Sequence, residues 1–475
     1  MPLPCRRAPA AGAVTLACSS SWPGSRESVP LPTTSDQEKT VGGASTAVLT
    51  ISTCYGFAIA DALEHYATPG WSDLPNDLLI RILNLLELPE ALAFRAVCPS
   101  WRSASKAATT TVPPRRTPWL VHLAAEPLHG RSKQSSKLWE PTVCSKFHSL
   151  VDEKTFKVSF PRGKAVACCG ASHGWLVVAN ELSDLVLYNP FTVALVPLPP
   201  ITRFPLCIEG VYGDGGNVVG YRYGSDRNTM YNDRVYDVHS LGMDVYDKVV
   251  LSNSPSLGGI AVAIHLDGKR LSFARVGDSN WRHVSVIRGD SFADCVYHHG
   301  RFFVVTMEGL LKSWDLSGLH GPKKKTIIAE DDGDFSDVIT RYLVSTPWGH
   351  LLQVRVILDT DQENRVKVEI DRCDLKSRKM VALSPWKALR GLAVFLGQNS
   401  PCFLPINKFP ELRPNCIYFT TPRLRNDSTF MRHYNQWSGA KVYDLNKKTL
   451  EPAFPSGGGN FGTMYPSEIW FTPSL

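Results

Sequence analysis

The body of this chain repeats one arrangement of residues. A run that starts near a glycine reads as a strand, a turn follows, and a second strand ends in Asp-Leu or Asn-Pro. The copies are Gly174–Val178 with Leu185–Pro190, Gly300–Val305 with Trp314–Leu316, Gly349–Val354 with Cys373–Leu375, and Cys416–Phe419 with Val442–Leu445. A further unit, Gly259–Ala263 leading to Leu271–Ala274 and Trp281, falls between the first two. From Trp119 onward helical periodicity nearly vanishes, and short apolar runs alternate with Gly, Pro, Asn and Asp turns. One meander of this kind cannot cover its own two apolar faces. Stacking several around an axis covers each face and shortens the exposed edges. The uneven spacing of the copies has the scale of propeller blades with inserted loops. The expectation is a mainly antiparallel, β-propeller-like domain over 119–475, with a pair of irregular β-sandwiches as the other arrangement the pattern allows.

A different periodicity precedes it. In residues 71–108, Leu78, Leu79, Ile82, Leu83, Leu85 and Leu86 recur at helical spacing, about twice the number that one buried face needs. Pro75 suits a first helical position, and Asp77 places a carboxylate at the positive end of the helix dipole. Leu88-Pro89 stops this helix and starts a second, carrying Leu92, Ala93, Ala96 and Val97; Pro99 starts a third, carrying Trp101, Ala104 and Ala108. Three helices in so few residues bury too little surface to stand alone. Two apolar stripes on the first helix imply that one packs inward and the other on a different protein. An ordinary helical subdomain packed on the rest of the chain is the alternative. Residues 1–70, rich in Ser, Thr, Ala and Pro, read as a disordered leader, with a faint likeness to an organellar transit peptide. Residues 109–118, with Pro113-Pro114, read as a linker. The fold class is therefore α+β multidomain, a small three-helix unit followed by the all-β body.

The order of residues in the helical unit, Leu74-Pro75-x-Asp77-Leu78-Leu79-x-x-Ile82-Leu83, then Leu92, Arg95-x-Val97-Cys98 and Trp101-Arg102, resembles the F-box motif over its whole length. Pro99 stands where family members more often carry a basic residue. The body adds Gly174-Trp175-Leu176 with Tyr188-Asn189-Pro190, Trp281-Arg282-His283-Val284, Trp314-Asp315-Leu316, Ala393–Gly397, Cys416–Phe419 and the terminal Ile469–Leu475. Together these resemble the plant F-box family that carries a C-terminal kelch-like domain of unknown function (number 295). The resemblance implies a substrate-recognition adaptor of a Skp-cullin-F-box (SCF) ubiquitin ligase. In that family the F-box binds a Skp-type adaptor, which links it to cullin and RING subunits. It also implies that Leu74, Pro75, Leu78, Ile82, Leu83, Val97 and Trp101 serve that contact or the fold beneath it. The target protein is not specified by it.

Composition excludes several other classes. The chain has 475 residues, 43% hydrophobic and 20% charged, enough to bury a large core. A net charge of +7 at this length does not argue for nucleic acid or a membrane surface, and the many aromatics lack regularly interleaved Arg or Lys. No apolar run reaches the length of a membrane span. The 12 cysteines contain no C-x-x-C pair, so free thiols in a reducing compartment, cytoplasm or nucleus, are expected.

Motifs for catalysis or a cofactor are equally missing. Adjacent residues of a strand point to opposite faces, so neither His298-His299 nor Cys168-Cys169 can easily share one ion. Ser456–Asn460 lacks the Lys-Ser/Thr of a phosphate loop, and Glu330–Asp334 lacks calcium-loop spacing. Trp314-Asp315 has no Gly-His partner at the distance a WD40 repeat requires. Lys323-Lys324-Lys325, after Gly321-Pro322, reads as a surface loop. No enzyme, metal or cofactor is expected. The rival function is a ligand- or carbohydrate-binding propeller with the helices only structural. Target recognition is expected in the long segments 203–240 and 420–440.

Overall fold

The computed structural model describes residues 17–18 and 70–473, except 87, 110–116, 124–141, 152, 206–207, 224–234, 266–267, 288–289, 319–321, 329–336, 360–364, 421–438 and 455–467. The leader other than Ala17–Cys18 and Gly70, residues 110–116 of the linker, residues 421–438 of the expected recognition segment 420–440, and the Glu330–Asp334 and Ser456–Asn460 segments lie outside the described residues. No described helix is long and apolar enough to cross a membrane.

The chain after the linker forms a ring of six mainly antiparallel blades among the described residues. Blade one is Ala165–Ser172, Trp175–Asn180, Leu185–Asn189 and Ala194–Pro197; blade two is Tyr246–Leu251, Ile260–His265, Arg270–Arg275 and Arg282–Val286. Blade three is Phe292–His298, Arg301–Thr306, Leu311–Asp315 and Lys323–Ile328; blade four is Val338–Ser345, Leu351–Asp359, Arg365–Asp374 and Lys379–Ala382. Blade five holds Leu392–Leu396, Cys402–Pro405, Cys416–Phe419, Lys441–Asp444 and Thr449–Pro452. Blade six closes the ring, pairing the late strand Ile469–Phe471 with the early strands Trp119–Leu123, Cys144–Ser149 and Thr155–Ser159, beyond which Ala17–Cys18 adds an edge.

Alternation along the strands explains why the ring closes. Each sheet is apolar on both faces, and each face meets the next blade. Trp119, Val121, Ile469 and Phe471 face blade one, whereas Leu120 and Trp470 between them face blade five, where Trp470 meets Phe395 edge-on with centroids 5.1 Å apart. Cys168 and Cys169 likewise part company, the first packing toward blade six and the second toward blade two. Inner strands approach closely at Gly170, where a Cβ would collide with the Val249 carbonyl.

The repeated Asp and Asn residues have a local cause. Asn189 Oδ1 accepts the N–H groups of Phe191 and Thr192; Asp374 Oδ1 accepts those of Lys376 and Ser377; Asp444 Oδ1 accepts those of Asn446 and Lys447. Asp315 Oδ1 accepts the N–H of Ser317. Each is an Asx turn that lets the next-to-last strand of a blade reverse into the last.

Three expectations are corrected. Lys323–Lys325 do not form a loop: they open the outer strand of blade three, where exposed lysines keep a sheet edge from pairing with another chain. Residues 203–240 are not merely connecting chain. They contain a three-stranded sheet, Ile208–Tyr212, Val218–Tyr223 and Val235–Asp237, and lead into a helix, Val238–Val245. This unit is locked to the Asn180–Asp184 turn of blade one, since Ser183 Oγ donates to Val238 O and accepts from Gly242 N–H, and His239 Nδ1 meets Glu181 O at 2.7 Å. Finally, Pro75 lies just before the first helix as its cap, not at its first position.

Candidate functional site

The helical unit has its own small core. Helix α1 (Asn76–Leu85), α2 (Leu88–Val97) and α3 (Pro99–Thr109) enclose Leu79, Leu83, Ala91, Phe94 and Ala104, with Leu74, Ile82, Leu86 and Trp101 partly buried against them. Phe94 and Trp101 rings pack with centroids 4.4 Å apart. The doubled apolar pattern of α1 thus splits as periodicity demands: Leu79 and Leu83 point inward, Leu78 and Leu85 outward.

The unit also keeps a large apolar surface in solvent. Of the twelve large apolar side chains exposed among the described residues, four are here: Trp71 at 77%, Leu78 at 41%, Leu85 at 80% and Val97 at 55%. Exposed apolar side chains concentrated on so small a unit make it the candidate contact surface. Of the seven residues expected to serve an adaptor, Pro75, Leu78 and Val97 are exposed, and Leu74, Ile82 and Trp101 are half-buried. Leu83, only 5% exposed, supports the surface from beneath. Trp71 and Leu85 were not among the seven; their exposure depends on how the helices pack, which spacing alone does not encode. The unit touches the propeller through an ion pair, Lys154 Nζ to Glu90 Oε1 at 3.3 Å, exposed enough to contribute about 1 kcal/mol or less.

The propeller axis is the other place where chemistry could gather. Leu392–Leu396 runs parallel to its neighbour Cys416–Phe419, because the chain inserts the hairpin to Cys402–Pro405 at the inner end of blade five. The hairpin tip reaches blades on the far side of the ring: Ser400 N–H donates to Ala171 O of blade one at 2.8 Å, and Gln398 Nε2 to Asp247 O of blade two at 2.7 Å. Lys248 Nζ bonds Gly397 O at 3.0 Å and pairs with Asp294 Oδ1 of blade three at 2.6 Å. Asp294 Oδ2 accepts the Leu343 N–H of blade four. Burial holds the Asp294 carboxyl above the usual carboxylate range despite the lysine. These polar groups bind one another across the axis. Among the described residues no three His, Cys, Asp or Glu side chains group so as to hold a metal ion.

His298 and His299 sit at the turn between the first two strands of blade three, with His298 buried and its Nδ1 2.8 Å from Ser345 Oγ. Desolvation, with His299 and His350 nearby, pushes the His298 imidazole down to about 4. A histidine whose folded pKa is depressed gives stability above its unfolded pKa, near 6.5, that is lost as pH falls toward 4. Stability should fall by up to about 3 kcal/mol across that window from this residue. Urea unfolding at stepped pH should show the slope, and His298→Gln should reduce it but not abolish it, because burial also pushes His122 down to about 3; an unchanged slope would remove His298 as a source.

Comparison with known proteins falls on the same two units. The F-box domain description matches residues 71–108, and the description "KIB1-4 beta-propeller" matches residues 147–444, more than half of the chain. The chain belongs to the F-box proteins that carry a KIB1-4 beta-propeller. It is similar to the putative F-box protein At4g17565 of Arabidopsis thaliana, 32% identical over 401 residues, which covers 81% of this chain and 90% of that protein. The putative F-box protein At4g22660 of the same plant is 29% identical over 131 residues, 28% of this chain and 31% of that protein; the F-box protein At1g10110 is 31% identical over 144 residues, 30% and 31% respectively. The chain thus spans about a third of the length of these last two relatives. The kelch-like label expected from the sequence is finer than these matches carry; the F-box and the β-propeller are both present.

Proposed function

We propose that this F-box protein is a non-catalytic substrate-recognition subunit of an SCF ubiquitin ligase, acting in the cytoplasm or nucleus. The helices of residues 71–108 dock a Skp-type adaptor, and through it cullin and RING subunits, while the propeller holds a target protein. The observation that carries this reading is that the F-box match falls on the unit with the densest group of exposed apolar side chains. The reaction it promotes is proximity: tethering raises the effective concentration of target lysines near the charged ubiquitin carrier, with no reacting group supplied by this chain. A ligand-binding channel is the weaker reading, because the tip of blade five lies across the axis.

The test is a pull-down with a purified Skp-type adaptor and cullin. The full chain should retain both, and a chain lacking residues 71–108 should retain neither. Equal retention by the two chains, or none by the intact folded chain, would refute the role.

A further inference from the structure

Trp71 is 77% exposed, yet its backbone is tied by hydrogen bonds to the rest of the helical unit. Residues Trp71–Asp73 form a single 3-10 turn, closed by Asp73 N–H to Gly70 O at 2.8 Å and by Gly70 N–H to Asp73 Oδ2 at 2.9 Å. Two side chains from the start of α3 then seize it. Trp101 Nε1 donates to Trp71 O at 2.8 Å, and Ser100 Oγ donates to Ser72 O at 2.9 Å. Those bonds hold the turn at the α2–α3 junction, where Val97 is also exposed. A large indole is thus presented to solvent on a hydrogen-bonded backbone, with nothing among the described residues covering most of it.

We propose that Trp71 is an anchor of the Skp-type adaptor interface and that Trp101 is a positioning residue acting through it. This rests on the reading of residues 71–108 as the adaptor-binding unit. The occupant follows from continuity: the turn is bonded to the start of α3, just after exposed Val97 in the chain, and leads into α1 with its exposed Leu78, all inside the F-box match. Tryptophan is also the side chain most enriched among residues that dominate binding energy, because it buries much area with few rotatable bonds to freeze. Trp101 contributes differently. Its ring packs on Phe94 inside the unit, and its N–H spends its one hydrogen bond on the Trp71 carbonyl. Losing that bond frees the turn, so the anchor must be ordered on binding.

The experiment is a double-mutant cycle on the full chain, reading affinity for the purified Skp-type adaptor by calorimetry or interferometry. Trp71→Ala should weaken binding about tenfold, and Trp101→Phe, which keeps the ring on Phe94 but removes the donor, about threefold to fivefold. The double variant should bind no more weakly than Trp71→Ala alone, since the positioning bond has nothing left to position. Multiplying losses would show that Trp101 acts on the fold and not through Trp71. Full affinity in Trp71→Ala would refute the anchor. Circular dichroism checks that each variant keeps its helices, and Trp71→Phe, expected to recover part of the loss, guards against an effect on folding. Leu78→Asp separates the two levels of inference. If it abolishes binding while Trp71→Ala does not, the anchor fails and the adaptor role stands. If neither weakens binding, both fall.

Discussion

The full chain carrying Leu78→Asp and Val97→Lys should lose adaptor retention by at least about a hundredfold while remaining folded. The choice of substitutions matters. Leu78 lies in the first turn of α1, where a carboxylate meets the positive end of the helix dipole, and Val97 is the last residue of α2, where an ammonium meets the negative end. Both changes therefore suit the helices that bear them, and neither side chain is part of the unit's buried core. What they oppose is burial against another protein. Each would place a charge in an apolar contact, and uncompensated burial of charge costs several kcal/mol. Even about 2.7 kcal/mol lost in total gives the hundredfold. Ile82, the obvious partner of Leu78 by sequence, is a poorer choice, because it is half-buried against Leu79 and Leu83 and a charge there would unfold the unit itself. The readout is adaptor retention with the thermal melt recorded alongside. Retention within threefold of the unaltered chain, with the melt unchanged, would refute the contact surface.

How far such a surface can be read from sequence is shown by α1. Spacing alone reveals two stripes, since Leu78 and Leu79 cannot both face one core. It does not reveal which stripe is covered; α2 and α3 decide that, by closing Ala91, Phe94 and Ala104 over Leu79 and Leu83. Trp71 escaped notice because its exposure depends on a turn pinned by Trp101 from thirty residues away. The propeller was legible for a local reason and obscure for a global one. The Asp and Asn residues that end next-to-last strands make hydrogen bonds two and three residues ahead, so they recur in sequence as a motif. The number of blades is set by how many sheets close the ring, and two departures hide it. A separate sheet and helix intervene between blades one and two, and blade five folds a hairpin across the axis. Turn-rich, polar segments such as 203–240 read as loops because their strands are short and glycine-broken.

The lysine that bonds the crossing hairpin also forms a buried ion pair between blades two and three, and removing it should produce a large loss of stability in the propeller. Lys248→Met removes the cation that faces Asp294 at 2.6 Å, with side chains only 7% and 2% exposed. A buried charge left without its partner typically costs about 3–5 kcal/mol. Here Gly397 O also loses its Lys248 donor. The Asp294 carboxyl, already held above the usual range by burial, must then shift further or be neutralised by a proton. A carboxyl whose folded pKa lies above its unfolded value gives stability at low pH that is lost as pH rises through the folded value. Lys248→Met should therefore be least stable near neutrality and regain part of its loss on acidification. The double variant Lys248→Met/Asp294→Asn should recover about 1–2 kcal/mol at neutral pH and lose that pH dependence. Its amide needs no counter-charge and can still accept the Leu343 N–H that joins blade three to blade four. Urea unfolding of the three chains at pH 5 and 7.5 measures all of this. If Lys248→Met costs less than about 1 kcal/mol, Lys248 is not what ties blades two and three and the hairpin of blade five together. Adaptor retention should be unaffected in either variant, since the α1–α3 unit and the axis share no residue.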